Sequence, residues 1–135
     1  VKEEYKQLEG NPQIKGKIRE IQRQMARSRM MQQVPQADVV IRNPTHVAVA
    51  LRYKPEKDAA PVVMALGQDE LALRIVKKAE ECHIAIIENI PLARSLYANV
   101  KLNQEIPPEF YGAVAEVLVY IFRLNEKKQI VKGTK

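Results

Sequence analysis

Two short apolar segments separated by only four residues place the strongest constraint on the fold. Residues 37–42 and 47–53 are rich in valine, isoleucine, alanine and leucine, a composition typical of buried strands. Between them lies Asn43-Pro44-Thr45-His46, with asparagine and proline at the positions that favour a turn. The sequence therefore predicts two neighbouring strands joined by a tight turn.

The rest of the chain predicts two more strands and three helices around that pair. Residues 61–66 and 84–88 have strand character, whereas residues 69–82, 91–100 and 108–124 place apolar residues at helical spacing. Strand 61–66, helix 69–82 and strand 84–88 predict a parallel, right-handed βαβ unit. We expect an α/β fold in which helices surround a small mixed four-stranded sheet.

A different pattern precedes this body. Residues 13–31 place Ile14, Ile18, Ile21 and Met25 on one helical stripe, with charged residues between them. The sequence thus predicts three parts: a helical linker (1–34), an α/β domain (35–126) and a disordered basic tail (127–135).

The net charge of +6 is concentrated near the start of the chain. Residues 1–33 contain eight basic and four acidic residues, so this segment suits an anionic membrane surface or nucleic acid, or is simply a solvated helix face. Only 5% of residues are aromatic, and Tyr5 is the single aromatic residue in the basic segment, so stacking on nucleic-acid bases is poorly supported.

Signatures of common enzymes and metal sites are missing from the sequence. It has no glycine-rich phosphate loop, no H-E-x-x-H and no G-x-S-x-G, and one cysteine with two histidines makes a metal site improbable. We therefore expect no cofactor and no metal. No apolar run of about 18 residues occurs, so the sequence itself predicts no membrane span.

Asn43 suggests a reaction within the chain itself. An asparagine is usually deamidated when the next backbone nitrogen attacks its side chain, but Pro44 has no N–H, which closes that route. The Asn43 side-chain nitrogen can instead attack the carbonyl carbon of the same residue and expel the Pro44 nitrogen. Such a reaction cuts the chain and leaves a C-terminal succinimide and an N-terminal proline.

The neighbouring residues could influence this reaction. Thr45 would stand at the third turn position, where it is strained in a type II turn and unstrained in a type I turn. His46 could help to transfer protons. The alternative is an ordinary Asn-Pro turn, and we expect Asn11-Pro12 to be one.

The residues around this turn resemble a known signature. Residues 38–51 resemble the signature of the export-switch proteins of type III secretion systems, and residues 9–16 and 25–31 resemble the linker of the flagellar members. Further resemblance in residues 72–75, 91–97 and 106–118 extends the match over nearly all of the chain up to Leu124. All four motif positions, Asn43, Pro44, Thr45 and His46, agree.

The resemblance implies the cytoplasmic domain of a bacterial inner-membrane protein that cleaves itself once, between Asn43 and Pro44, without being a multi-turnover enzyme. Asn43, Pro44, Thr45 and His46 would form the site, the fragments would stay together, and cleavage would switch export from rod and hook proteins to filament proteins. Implied partners are export-gate components with their cytoplasmic domains, a secreted ruler protein and export substrates, with no nucleic acid. The alternatives are an injectisome-type switch protein, a non-catalytic docking module for secreted substrates, and a nucleic-acid binder.

Overall fold

A computed structural model describes residues 10–44 and 46–133, with side chains as far as residue 126. The chain divides into two units, one ending at Gln32 and the other beginning at Gln33. Helix α1 (Pro12–Gln33) has Asn11 immediately before it. Asn11 Oδ1 accepts hydrogen bonds from the backbone N–H groups of Gln13 (2.9 Å) and Ile14 (3.4 Å). Asn11-Pro12 is therefore a helix cap followed by proline in the first turn, where proline's missing N–H has no helical partner to lose.

The second unit contains the predicted mixed four-stranded sheet. Its strands are β1 (Val39–Asn43), β2 (Val47–Arg52), β3 (Val62–Gln68) and β4 (Ala85–Glu88), in the order β3-β2-β1-β4. β1 pairs antiparallel to β2 and parallel to β4, and β2 pairs antiparallel to β3. The hairpin predicted from the two apolar segments thus supplies both central strands, and the α/β class is confirmed.

Three further helices belong to this unit, namely α2 (Glu70–Glu81), α3 (Ile90–Asn99) and α4 (Tyr111–Gly133). α4 differs from the prediction at both ends: a 3-10 turn (Pro108–Phe110) precedes it, and it extends beyond residue 124. The backbone of residues 127–133 is helical where we expected disorder. Lys and Gln favour helix there, and no proline or glycine interrupts the segment before Gly133. Among the helices of the described residues, none is both long enough and apolar enough to cross a membrane.

The predicted βαβ unit has a different arrangement from the one expected. β3 and β4 run in the same direction, but they lie at opposite edges of the sheet with β2 and β1 between them. Val39, Val40 and Ile41 are all fully buried, so β1 is covered on both faces. A strand with no polar face is most stable at the centre of a sheet, and this favours insertion of the hairpin between β3 and β4.

Helices cover the two faces of this sheet. One face packs against α3 and α4 in a single core that includes Val39, Ile41, Leu96 and Leu118. Because successive strand residues point to opposite faces, Val40 belongs to the other face, where α2 packs across the strands. Most of the buried residues therefore lie within the second unit.

The strand directions also determine where the turn lies. Since β1, β3 and β4 run in the same direction, their carboxyl ends all lie at the same end of the sheet. Three connections begin at that end: the turn after β1, the connection from β3 to α2 and the connection from β4 to α3. The topology therefore gathers two helix starts beside residues 43–46.

A buried ion pair organises the loop between β2 and β3, at the opposite end of the sheet. Asp58 is buried, and its carboxylate accepts hydrogen bonds from Arg52 Nη2 (2.7 Å), Arg52 Nε (3.0 Å) and the Lys54 backbone N–H (2.9 Å). The hydrogen bond from Arg52 lowers the pKa of Asp58 below its usual value, although burial opposes the shift. A carboxylate held this way closes the loop back onto the end of β2.

The lowered pKa of Asp58 predicts a loss of stability in acid. A carboxyl whose pKa is lower in the folded protein stabilises it above the unfolded pKa of about 3.9, and this stabilisation disappears as the pH falls through the folded value. Asp58→Asn should therefore lower the thermal midpoint at pH 7 and flatten its decline between pH 5 and pH 2, as calorimetry can measure. Glu56→Gln, an exposed change in the same loop, is the control. Equal acid profiles for Asp58→Asn and the unsubstituted protein would contradict the prediction.

Candidate functional site

The predicted turn between β1 and β2 is closed by a backbone hydrogen bond. The N–H of His46 donates to the carbonyl oxygen of Asn43 at 3.0 Å, so Asn43 and His46 are the first and fourth residues of the turn. Asn43 is also opposite Val47 in the register of the two strands. Thr45 lies outside the described residues, and with it the question of a strained or unstrained third position.

Two further hydrogen bonds hold the residues on either side of this turn. The Asn89 N–H donates to the carbonyl oxygen of Arg42 at 3.0 Å, and the Asp69 N–H donates to that of His46 at 2.8 Å. Asn89 and Asp69 immediately precede α3 and α2. The Asn89 side chain also accepts the N–H of Leu92 at 3.2 Å and caps α3. The turn is therefore attached to the start of a helix on each side.

The surroundings of the turn are partly open to solvent. Asn43 and Pro44 are half-buried, and His46 is exposed. A cleft of about 380 Å³ is lined by Asn43, His46, Val47 and Arg94. Arg94 belongs to α3 and places a cationic side chain at the cleft that Asn43 lines.

The structure brings together Asn43, Pro44 and His46 of the four predicted site residues. It adds three residues that local sequence patterns did not identify as part of the site: Asp69 and Asn89 through their backbone N–H groups, and Arg94 through the cleft. The sequence signal for Asn89 was available, because asparagine followed by Ile90 and Pro91 is a common start of a helix. Asp69 acts through its backbone, which its residue type does not reveal.

The arrangement suits an intramolecular attack on a carbonyl group. The Asn43 carbonyl is polarised by the His46 N–H, and a side-chain amide nitrogen is available on the same residue. Hydrogen bonds on both sides restrict the backbone, and the half-buried position reduces competition from water. These are the requirements for a reaction that depends on orientation.

A second concave surface lies away from the turn. An apolar groove of about 270 Å³ is formed by the β2–β3 loop and α4, and its lining includes Tyr53, Ala60, Pro61, Tyr111, Leu118 and Phe122. Sequence reasoning did not identify this groove. The broad apolar face of helix 108–124 was the available signal, since it extends further around the helix than one sheet contact requires.

The fold is a small mixed sheet whose two central strands are joined by the Asn43-Pro44-Thr45-His46 segment. Residues 1–121 match the model of the FlhB HrpN YscU SpaS family. The chain belongs to this family.

Individual relatives agree with the family match. The chain is 51% identical over 127 residues to the flagellar biosynthetic protein FlhB of Bacillus subtilis and 52% identical over 129 residues to that of Helicobacter pylori. These alignments cover 94% and 96% of the chain, but only 35% and 36% of the relatives. The chain thus spans about a third of the length of these curated relatives.

Solved structures support the same fold. The cytoplasmic domain of FlhB from Shewanella putrefaciens is similar with a TM-score of 0.73 and 45% identity, covering 76% of this chain and 79% of that one. A mutated EscU C-terminal domain is similar with a TM-score of 0.66 and 38% identity, covering 68% of this chain and 92% of that one. The chain corresponds to the cytoplasmic domain of an export-apparatus component.

Proposed function

We propose that this domain cleaves its own chain between Asn43 and Pro44 and thereby switches a flagellar export apparatus from rod and hook substrates to filament substrates. The observation that carries the proposal is the 3.0 Å hydrogen bond from the His46 N–H to the Asn43 carbonyl oxygen, within a turn attached to two helix starts. Membership of the FlhB HrpN YscU SpaS family supports the export role.

The cleavage proceeds in one balanced sequence. The Asn43 side-chain nitrogen loses a proton and adds to the Asn43 carbonyl carbon, so negative charge develops on the carbonyl oxygen. When the carbonyl re-forms, the bond to the Pro44 nitrogen breaks and that nitrogen takes up a proton. The products are a C-terminal succinimide at residue 43 and an N-terminal Pro44, and no water is consumed until the succinimide hydrolyses.

The fold accelerates this sequence through orientation. Placing nucleophile and electrophile in one restricted residue gives effective molarities equivalent to about 7–11 kcal/mol of the barrier. Pro44 adds a further restriction, since the residue before a proline is kept out of the helical region. Asn11-Pro12 is spared by its context, because Asn11 Oδ1 accepts hydrogen bonds as a helix cap.

His46→Ala should slow cleavage by about 10²-fold without stopping it. A positioned imidazole contributes about 10²–10⁴-fold to proton transfer, and the exposed position of His46 lets water replace much of that contribution. The rate of fragment formation, followed by mass spectrometry of denatured samples, measures the effect. His83→Asn is the matched control, since it alters the other histidine and asparagine tolerates its positive φ of 59°. Complete loss of cleavage in His46→Ala would show that the imidazole is essential.

A single mass measurement tests the leading proposal. Folded protein that is incubated at neutral pH and then denatured should yield fragments 1–43 and 44–135, with no cut at Asn11-Pro12. In urea from the outset, cleavage at Asn43 should stop, because the turn loses its attachments. An uncut chain after long incubation of the folded protein contradicts the proposal.

The proposed partners follow from the export role. They are components of the export gate with their cytoplasmic domains, a secreted ruler protein and the exported proteins, and we place the parent protein in the bacterial inner membrane. The basic excess of residues 1–33 supports a position next to an anionic membrane surface. Binding of the purified domain to vesicles with and without anionic lipid tests that placement.

The apolar groove favours a second candidate function, namely docking of an apolar segment of a secreted substrate. Tyr53, Tyr111 and Phe122 offer aromatic contact area around a concavity of about 270 Å³. Val119→Asp adds a charge to the groove lining at a 48% exposed position and should weaken binding of a rod or hook subunit at least tenfold in calorimetry. Tyr120→Asp, on the next residue and outside the groove lining, should leave binding unchanged. Equal affinities for the two variants would exclude the groove.

A further inference from the structure

We infer that the β3–α2 junction is part of the cleavage machinery, with Asp69 as a positioning residue whose backbone N–H holds His46 as the donor to the oxyanion on Asn43. This inference rests on the proposed self-cleavage. It assigns a role to Asp69, which lies 26 positions after Asn43 in the sequence (69 − 43) and is brought next to the turn by the sheet.

The first step concerns the charge that forms during the reaction. When the Asn43 side-chain nitrogen adds to the carbonyl carbon, the carbonyl oxygen becomes an oxyanion. The His46 N–H already lies 3.0 Å from that oxygen in the uncut turn. A donor in place before the reaction stabilises the developing charge without any reorganisation, and removing one such donor costs about 10²–10³-fold in rate.

The second step concerns what fixes that donor. The carbonyl oxygen of His46 accepts the Asp69 N–H at 2.8 Å, so both backbone polar groups of His46 are engaged. One bond attaches His46 to the reacting carbonyl, and the other attaches it to the junction. With both groups bonded, rotation of the His46 N–H away from Asn43 is restricted.

The third step concerns the conformation of Asp69. Its backbone has φ 54° and ψ −122°, a region that residues other than glycine seldom occupy. Within the described residues, its side chain makes no capping hydrogen bond to α2, so helix capping does not account for this conformation. The conformation does direct the N–H at His46. We attribute its persistence to that contact.

Gly67 permits the close approach of α2 to this junction. A Cβ at residue 67 would come within 2.7 Å of Leu71 Cγ, in the first turn of α2. The helix start, with its partial positive charge, is thereby held near the turn where negative charge develops. The absence of a side chain at residue 67 and the unusual backbone of Asp69 therefore act together at one place.

Backbone ester substitution in the full 135-residue chain tests the inference. Replacing the Gln68–Asp69 amide with an ester removes the Asp69 N–H and should slow cleavage about tenfold or more, since small misplacements in such reactions have effects up to about 10²-fold. Replacing the Thr45–His46 amide removes the oxyanion donor itself and should slow cleavage about 10²–10³-fold. An ester at Glu56–Lys57 removes the hydrogen bond of 2.8 Å from the Lys57 N–H to the Lys54 carbonyl oxygen, in the β2–β3 loop at the opposite end of the sheet. It should leave the cleavage rate unchanged.

Hydrogen exchange separates positioning from general destabilisation. In the Asp69 ester, protection of the His46 amide should fall while that of core amides such as Val49 stays the same. Asp69→Asn keeps the N–H and tolerates a positive φ, so it should cleave faster than the Asp69 ester.

Each outcome has a defined meaning. If the Asp69 ester cleaves as fast as the Lys57 ester, the inference is wrong and the proposed self-cleavage stands. If Asp69→Asn slows cleavage as much as the ester, the side chain matters and the backbone role is wrong. If the unsubstituted chain never cleaves, the proposed function fails and the inference with it.

Discussion

The Asn43→Ala chain is expected to stay a single 15.4 kDa polypeptide under conditions in which the unsubstituted protein yields two fragments after denaturation. The substitution removes the attacking nitrogen, and no neighbouring side chain can supply the same intramolecular advantage of about 10⁵–10⁸ M. We therefore expect no detectable cut after days at neutral pH, as judged by intact mass.

Asn11→Ala is the matched control for this experiment. It changes the other Asn-Pro pair, where Asn11 caps α1, and should leave cleavage at Asn43 unaffected. Circular dichroism should show that Asn43→Ala keeps its secondary structure, because the strand pairing of residues 39–43 uses backbone groups. Cleavage at the normal rate in Asn43→Ala would mean that another nucleophile cuts the chain.

The cut protein is expected to elute as one compact species and to separate only in denaturant. The fragment 1–43 contains β1, which lies between β2 and β4 and pairs with both. Val39, Val40 and Ile41 are fully buried there, and each such side chain contributes about 1.5–3 kcal/mol through burial. Removing β1 would leave the edges of β2 and β4 unpaired and expose the apolar surfaces that pack on both of its faces. Size-exclusion chromatography before and after addition of urea measures this directly.

Ile41→Ala should weaken the association without affecting the chemistry. A large-to-small change at a fully buried position lowers the free energy of unfolding by about 2–5 kcal/mol. The cut variant should separate at lower urea concentration than the cut parent, while the fraction cleaved in native buffer stays similar. Tyr120→Ala, at an exposed position on α4, is the control. Fragments of the unsubstituted protein that separate in native buffer would contradict the central position of β1.

The hairpin and its turn could be predicted because their signals are local. Valine and isoleucine at residues 39–41 and alternating small apolar residues at 47–51 indicate buried strands, and the strands are where they were expected. Asn43 and Pro44 indicate a turn through their own conformational preferences. The self-cleavage proposed for Asn43 stays a prediction; its sequence signal is also local, since it depends on two adjacent residues.

The neighbours of the turn could not be predicted, because they depend on strand order. Residues 61–88 read as a compact βαβ unit, but burial of the hairpin on both faces separates β3 from β4. Only that order brings Asp69 and Asn89 to the two sides of residues 42–46. The pairing of Arg52 with Asp58 was equally hidden, since a charged residue at a strand end and another in a loop carry no local sign of contact.

Because β1 is a central strand, cutting the chain after it would also change folding from a reaction of one chain to an association of two. In an uncut chain β1 and β2 are joined, so folding is unimolecular and the thermal midpoint is independent of protein concentration. Once the Asn43–Pro44 bond is broken, the sheet assembles from two polypeptides, and its midpoint rises with concentration as in any complex of two chains. In a cell, the cut domain would therefore stay folded only while its two fragments remain associated after the cut. The proposed cleavage would leave the folded state in place, but a fragment lost at low copy number would not be recovered.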